Sequence, residues 1–253
     1  FKNYPRPHHE SHHLDTTHVN FIKQWTLSAG VNTNSINSID LSLAGNVYTW
    51  KVSAGVLGYV NVSGDSRAIV DGVSVSSDAD NNIDEKDNSG GEISVRLENR
   101  LASGHVLTEI FLANLDAVAE VTSQRSGQVV IEDNVLVRWN GRAELQINAT
   151  DSSVVYVSAP NNAHSISRMR ARDSSRIKVL SIWLHASQLK LDAVDVGSIC
   201  MSAQKAKASV AYVNGGDKIS LPLSSKKHGT TGTFACEKSM LPERKAAKIA
   251  DPS

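Results

Sequence analysis

The sequence AELQINATDSSVVYVSAPNNAHSISRMRARDSSRIKVLSIWLHASQLKLDAVDV, residues 143–196, decides the fold. Short alternating runs in this stretch are separated by small polar turns, and the turn phrase recurs. Asp-Ser-Ser stands at residues 151–153 and returns at 173–175, 22 residues later, and Ala-Ser-Gln stands at 186–188. Each turn precedes a run with apolar residues at every second position, which is typical of β-strands.

The alternation predicts an all-β protein. Residues 145–149 read Leu, Gln, Ile, Asn, Ala, and the same period recurs at 176–179 and 189–193. Successive side chains of a strand point to opposite faces, so each run has one apolar and one polar side. Because the turn returns after roughly 20 residues, each coil can bury its inner side on the next coil. We predict a right-handed β-helix or solenoid-like stack of short strands, with a β-sandwich as the alternative.

The chain divides into three parts by composition. Residues 1–20 contain two prolines and five histidines and are predicted to form an extended arm. Residues 21–213 form the predicted β-solenoid-like domain. Residues 214–253 are rich in Gly and Lys and are predicted to be a tail that caps the stack, with a short helix over Met240 to Ile249.

Composition argues against some classes of partner. The chain has 253 residues with 26 basic and 26 acidic side chains, so its formal net charge is zero. Proteins of nucleic acids or anionic membranes carry a basic footprint, which this chain lacks. No run approaches the ~18 apolar residues of a membrane span. We therefore expect neither a nucleic-acid partner nor a membrane span.

Three features predict a secreted or cell-surface glycoprotein. The sequence begins at Phe1, as after removal of a signal peptide or trimming. Cys200 and Cys236 are the two cysteines, which fits one disulfide and equally fits two buried thiols. Asn61 and Asn148 each begin an N-glycosylation triplet.

Two clusters have residue types that bind metals. The N-terminal arm carries closely spaced imidazoles, which can share a zinc ion, although a solvated His-rich arm is the favoured interpretation. These are His8, His9, His12 and His13. Oxygen-bearing side chains at alternate positions suit calcium in Asp78, Asp80, Asn82 and Asp84. Ile83 and Ser89 depart from the helix-loop-helix calcium pattern, so a polar hairpin loop is favoured there.

The order of elements resembles a known family. Successive segments read YVNVSGD (59–65), AIVDGVSV (68–75), ISVRL (93–97), VLTEIFLANLDAVAEVTS (106–123) and SGQVVI (126–131). This order resembles the auto-transporter adhesin head GIN domain family over roughly residues 25–213. Family members often repeat Gly-Ser-Gly at each coil, whereas here Ser126-Gly127 occurs once and Asp-Ser-Ser follows later. The resemblance implies a β-solenoid-like fold and a surface location, and it does not imply a known catalytic activity or a known ligand.

Aromatic side chains offer a contact surface. Trp139, Tyr156 and Trp183 are predicted to lie on the outer face by the alternation. Outward aromatic rings can stack on sugars or bury in a protein contact. The favoured alternative is that they cover an edge of the core under a loop.

No catalytic motif stands out in the sequence. It contains no nucleophile elbow, phosphate loop or His-Glu-x-x-His helix. Four carboxylates that could align as in polysaccharide-active β-helix enzymes are Asp151, Asp173, Asp192 and Asp195. However, Asp151 and Asp173 open turns, where Asp is expected for local hydrogen bonds.

We expect a structural or adhesive protein without catalysis that acts by self-association or by binding a surface or matrix partner. A carbohydrate-binding module, assisted by calcium, is the alternative, and a polysaccharide-active enzyme is the third. No cofactor is expected apart from the calcium or zinc considered above.

Overall fold

A computed structural model describes residues 20–29, 34–49, 54–77, 90–98, 103–125, 127–137, 144–164, 166–220 and 241–249. The first strands are β1 (Phe21–Ser28), β2 (Ile36–Leu41), β3 (Gly45–Thr49), β4 (Val56–Gly64), β5 (Val73–Ser77), β6 (Gly91–Leu97), β7 (Gly104–Leu112) and β8 (Glu120–Ser123). The later strands are β9 (Gln128–Ile131), β10 (Leu145–Ala149), β11 (Val154–His164), β12 (Ile166–Ala171), β13 (Arg176–Ala193), β14 (Ser198–Asn214), β15 (Ile219–Ser220) and β16 (Ala247–Ile249). One short helix, α1 (Arg67–Asp71), lies between β4 and β5, and a 3-10 turn, Gly216–Lys218, precedes β15.

The strands form two ladders that run side by side. Ladder A has the order β5, β6, β2, β8, β10, β12, then the second halves of β13 and β14. Ladder B has the order β1, β4, β7, β3, β9, β11, then the first halves of β13 and β14, and β15. From β6 and β7 onward the neighbouring strands pair in parallel. The all-β prediction is confirmed, and parallel coils replace the antiparallel pairing of the sandwich alternative.

Each coil joins one strand of ladder A to one strand of ladder B, but the stacking order differs from the chain order. The coil of β2 and β3 comes first in the chain and lies between the coil of β6 and β7 and the coil of β8 and β9. The strands β1, β4 and β5 pair antiparallel and close this end of the stack. The helix α1 packs there, and the Ser66 side chain caps it by accepting the Ile69 N–H at 3.3 Å.

The core is built from the inward side chains of successive coils. In ladder A, parallel register places Val121, Ile147, Met169 and Leu191 in one row, and each is fully buried. In ladder B, Val155, Ile177 and Ile199 form an equivalent row, also fully buried. Burying each of these side chains contributes roughly 1.5–3 kcal/mol relative to exposure. The apolar positions of the alternation in the sequence are therefore the side chains that point into the stack.

The turns from ladder A to ladder B are also stacked. Arg125, Asp151, Asp173 and Asp195 take positive φ angles of 60°, 57°, 55° and 55°. Asp tolerates this left-handed conformation better than most residues. The carboxylate of each turn aspartate also accepts a hydrogen bond from the preceding coil. Asp151 accepts the Arg125 N–H at 2.7 Å, and Asp173 accepts the Asp151 N–H at 3.1 Å.

The serines of the Asp-Ser-Ser phrase tie the same turns together from inside. The Ser153 hydroxyl donates to the Ser123 carbonyl at 3.1 Å, and the Ser175 hydroxyl donates to the Ala149 carbonyl at 2.9 Å. Gly197 takes the equivalent position one coil later, where a Cβ would lie 2.6 Å from the Ala171 carbonyl oxygen. The recurrent phrase is therefore a set of contacts between coils.

One local sequence prediction is wrong. A short helix is predicted over Met240 to Ile249, but Ala247–Ile249 forms β16, which pairs with β7. Pairing with a strand from a distant part of the chain overrides the local helix preference there. No helix in the described ranges is long and apolar enough to cross a membrane.

The stacked turns generate a prediction. Asp173→Ala should lower the free energy of unfolding by about 1–3 kcal/mol, because Ala is strained at positive φ and the bond to the Asp151 amide is lost. Asp173→Gly should lose less, because Gly adopts this conformation without strain. Urea denaturation measures both, with the exposed neighbour in Ser174→Ala as the control. Equal stabilities for the Ala and Gly variants would contradict the backbone argument.

Candidate binding surfaces

The two ladders differ in how their outer faces are exposed. We call the outward side chains of ladder A face A and those of ladder B face B. One row of face A contains Glu92, Ser38, Glu120, Gln146, Arg168 and Lys190, and all are half-exposed or exposed. A corresponding row of face B contains Glu109, Asn46 and Val130, which are only 9%, 7% and 3% exposed. Face A is open along this row, and face B is covered in this region.

Face B is covered where the C-terminal segment returns to the stack. The strand β16 pairs antiparallel with β7, with Ala247 opposite Val106. Arg244 forms an ion pair with Glu109, and its guanidinium lies 4.9 Å from the centre of the Tyr48 ring. The segment 241–249 therefore continues the sheet beside β7 through β16, and its Arg244 covers Glu109 and Tyr48 on the outer side.

Tyr48 is the centre of this contact. Its ring stacks on Phe111 with centroids 5.4 Å apart and an interplanar angle of 20°. Burial raises the pKa of Tyr48 well above its usual value, although the Arg244 charge acts in the opposite direction. Tyr48 therefore stays a neutral phenol under the guanidinium, which favours a cation–π contact.

Face A carries a second row in which charges are already paired. Asp40 is 6% exposed, and it accepts from Arg96 at 2.7 Å and from Gln124 at 3.1 Å. Asp192 is 2% exposed; it forms an ion pair with Arg170, whose Nε lies 2.9 Å from Oδ2, and it accepts a hydrogen bond from Asn214 at 2.8 Å. A buried carboxylate requires such partners, so these groups stabilise the outer surface of the sheet.

Three of the four carboxylates considered for catalysis, Asp151, Asp173 and Asp192, have structural roles. The side-chain oxygens of Asp151 and Asp173 accept backbone N–H groups of the adjacent coil, and Asp192 is held by Arg170 and Asn214. An acid or base that works on a polysaccharide must be free to exchange a proton with it. Their positions therefore favour structure over catalysis for three of the four candidates.

One carboxylate–imidazole pair lies at the capped end of the stack. Asp65 Oδ2 accepts the His105 backbone N–H at 2.9 Å and lies 3.0 Å from His105 Nδ1. Burial alone would raise the pKa of Asp65, but the hydrogen bonds and charge of His105 outweigh it and lower that pKa. The adjacent hydroxyl of Ser66 is used to cap α1. The pair joins β4 to β7 and holds the start of the helix.

The structure places several predicted site residues on the outer faces. Asn61 lies on β4, where its side chain accepts from Gln24 at 2.7 Å. Asn148 lies on face A and donates to Glu120 at 3.5 Å. Tyr156 faces outward on β11, with the Lys178 ammonium 5.3 Å from its ring centre. Cys200 lies in β14 and is 6% exposed.

Other predicted site residues are not tested. Outside the described residues lie His8, His9, His12, His13, Asp78, Asp80, Asn82, Asp84, Trp139 and Cys236. Trp183 lies in β13, where only its backbone is described. In the part of the chain that is described, no group of three His, Cys, Asp or Glu side chains could hold a metal ion. The zinc and calcium hypotheses therefore stay predictions.

The contact of Arg244 with Glu109 and Tyr48 could not be read from the sequence, in which Arg244 belongs only to a basic tail. The signal that could have found it is the run Ala246 to Ile249, whose alternation is too short to distinguish a strand from a helix. Its partner strand is more than 100 positions earlier in the chain, beyond any local pattern.

The contact generates a prediction. Arg244→Ala should release the C-terminal strand, because both the ion pair with Glu109 and the contact with Tyr48 are lost. Amide exchange at residues 247–249 should become faster by about tenfold, as expected for a loss of roughly 1.4 kcal/mol. Lys245→Ala, which changes an exposed neighbour, is the matched control. Unchanged exchange in the Arg244 variant would show that the strand is held by its backbone pairing alone.

Comparisons with known proteins give one distant structural match. No family model matches the sequence, and no curated protein matches it. A candidate adhesin from Parabacteroides merdae, known from a crystal structure, is 9% identical with a TM-score of 0.27, over 80% of this chain and 96% of that chain. Similarity at this level does not demonstrate a shared fold. Membership of the adhesin head GIN family therefore stays a prediction.

Proposed function

We propose that this chain is a structural or adhesive protein of the cell surface or extracellular space, and that it acts without catalysis through contacts made by face A. The observation that carries the proposal is the difference between the faces. Face A presents half-exposed or exposed polar side chains in register on six parallel strands, while Arg244 of the segment 241–249 covers Glu109 and Tyr48 on face B.

The regularity of face A suits binding to an extended partner. Neighbouring strands are spaced by about 4.8 Å, so equivalent side chains repeat at that distance along the stack. Amide, hydroxyl and charged groups follow one another in the row from Ser38 to Lys190. A rigid polar face of this kind can make many weak contacts at once, and their sum rather than any single contact gives adhesion.

The surface location is supported by three residues. Cys200 is buried at the outer side of β14, and a bridge to Cys236 would fasten the tail to the last coils. Asn61 and Asn148 are half-exposed on outer faces, where either one of them can accommodate a glycan. A disulfide and a glycan together belong to the secretory route.

Carbohydrate binding is the second candidate, and Tyr156 is the residue that favours it. This ring is half-exposed on the outer side of β11. However, the Lys178 ammonium lies over the ring, in the position where a sugar would stack. Face A therefore offers the stronger case.

The surface location leads to a prediction about covalent structure. Peptide mapping of the natively purified protein without reduction should recover Cys200 and Cys236 in one linked pair of peptides. Intact mass should rise by the mass of two hydrogen atoms on reduction, and enzymatic deglycosylation should remove hexose-rich mass. Two free thiols and an unglycosylated mass would contradict the secretory location.

Adhesion through face A can be tested with two matched substitutions. Beads coated with the protein should adhere to surfaces coated with the protein itself, with collagen or with a polysaccharide film. Gln146→Arg, on face A, should reduce adhesion by about tenfold, because a large charge disrupts close packing at the face. Gln128→Arg is the control, since Gln128 is a half-exposed glutamine facing outward on ladder B.

The proposal is overturned if coated beads adhere to none of these surfaces, or if both substitutions have the same effect. Turnover of a polysaccharide film by the wild-type protein would contradict the absence of catalysis. Circular dichroism of both variants should match the wild type, since neither glutamine belongs to the core.

A further inference from the structure

We propose that the partner of face A is a second copy of this chain, packed face to face about a two-fold axis that runs along the strands. This inference rests on the proposed function and specifies its partner. It follows from how charge is distributed along face A.

The charges of the open row are separated by sign. Glu92 and Glu120 lie toward the capped end of the stack, on β6 and β8. Arg168 and Lys190 lie toward the other end, on β12 and β13, and both are exposed. Neutral Gln146 stands between them on β10. Face A is therefore acidic at one end and basic at the other.

The second row of face A does not cancel this separation. Arg96 neutralises Asp40 near the acidic end, and Arg170 neutralises Asp192 near the basic end. Those pairs are satisfied within one copy. The residues Glu120, Arg168 and Lys190 of the open row therefore determine the electrostatic complementarity between two faces.

A two-fold axis along the strands reverses the stacking order of the partner. With the axis at Gln146, Glu120 of each copy lies opposite Arg168 of the other, because these residues are one strand to either side of Gln146. Such an isologous contact makes each ion pair twice. A two-fold axis along the stack would instead place Glu120 on Glu120 and Arg168 on Arg168, which is repulsive.

The size of the face limits the strength of the contact. Six strands at about 4.8 Å spacing and five residues at about 3.3 Å rise give a face of roughly 29 Å by 17 Å. Two such faces bury about 1,000 Å² in total, near the lower limit of a specific interface. Exposed ion pairs add little each and are screened by salt. We therefore expect a weak dimer that dissociates at high ionic strength.

Asn148 adds a condition. It lies on the same strand as Gln146, beside the proposed axis. A glycan there would separate the two faces, so the dimer requires Asn148 without glycan and leaves Asn61 as the glycosylated position.

The experiment is sedimentation velocity over a range of protein concentrations at low salt and at about 1 M salt, where the Debye length is about 3 Å. The wild type should form dimers at low salt and monomers at high salt. Glu120→Lys and Arg168→Glu should each weaken the dimer by about tenfold or more, because each places like charges opposite one another. Arg176→Glu, a charge reversal at an exposed position of face B, should leave the dimer unchanged.

Two combinations test the geometry itself. The double variant Glu120→Lys with Arg168→Glu should dimerise like the wild type, since both partners of each pair are exchanged. An equal mixture of the two single variants should form mixed dimers. In such a dimer the introduced lysine of one copy faces the introduced glutamate of the other, and the native Glu120–Arg168 pair forms on the other side of the axis. If a substitution merely unfolded the chain, neither the double variant nor the mixture of single variants would form dimers.

A wild type that stays monomeric at low salt overturns the dimer, as does a dimer unaffected by either reversal or a glycan on Asn148. In those cases adhesion of coated beads to collagen or polysaccharide that Gln146→Arg reduces would leave the proposed function intact. Loss of adhesion to every surface would overturn both.

Discussion

The whole structure depends on the in-register parallel pairing of its strands. The pairing fixes neighbouring strands about 4.8 Å apart, and it places equivalent residues of successive coils above one another. Apolar residues then meet apolar residues inside, as in the row from Val121 to Leu191. A shift of one residue would turn every apolar side chain outward, so the core and the register enforce one another. The turn aspartates and serines strengthen the same register from the corners of the coils.

The same pairing gives the protein two different outer faces. On ladder B, Tyr48, Phe111 and Glu109 form a patch that receives Arg244 and the strand β16. On ladder A, the outward residues remain polar and half-exposed, and the buried carboxylates Asp40 and Asp192 are neutralised within the face. One side of the stack is thus partly covered by the chain itself, while the row from Glu92 to Lys190 on the other side stays open. The proposed function relies on this open side, face A.

Sequence alone was sufficient for the features that repeat locally. The alternation of residues 145–149 and the Asp-Ser-Ser phrases predicted strands, inward side chains and turns that the structure confirms. The same local evidence could not place the coil of β2 and β3 between later coils, since pairing partners of parallel strands lie far apart in sequence. It could not pair β16 with β7 for the same reason. The charge separation along face A became visible only once Glu120, Gln146 and Arg168 were aligned by register.

The position of the coil formed by β2 and β3 has a consequence for the order of folding. Both of its neighbours, the coil of β6 and β7 and the coil of β8 and β9, are made later on the ribosome. The first coil therefore has no neighbouring coil to stack on until residue 112 has emerged, and its second side stays uncovered until residue 131 has emerged. Non-local pairing of this kind slows folding and exposes strand edges to aggregation. The later coils, in contrast, can be added one after another onto an existing template, so we expect the first half of the chain to limit the rate of folding.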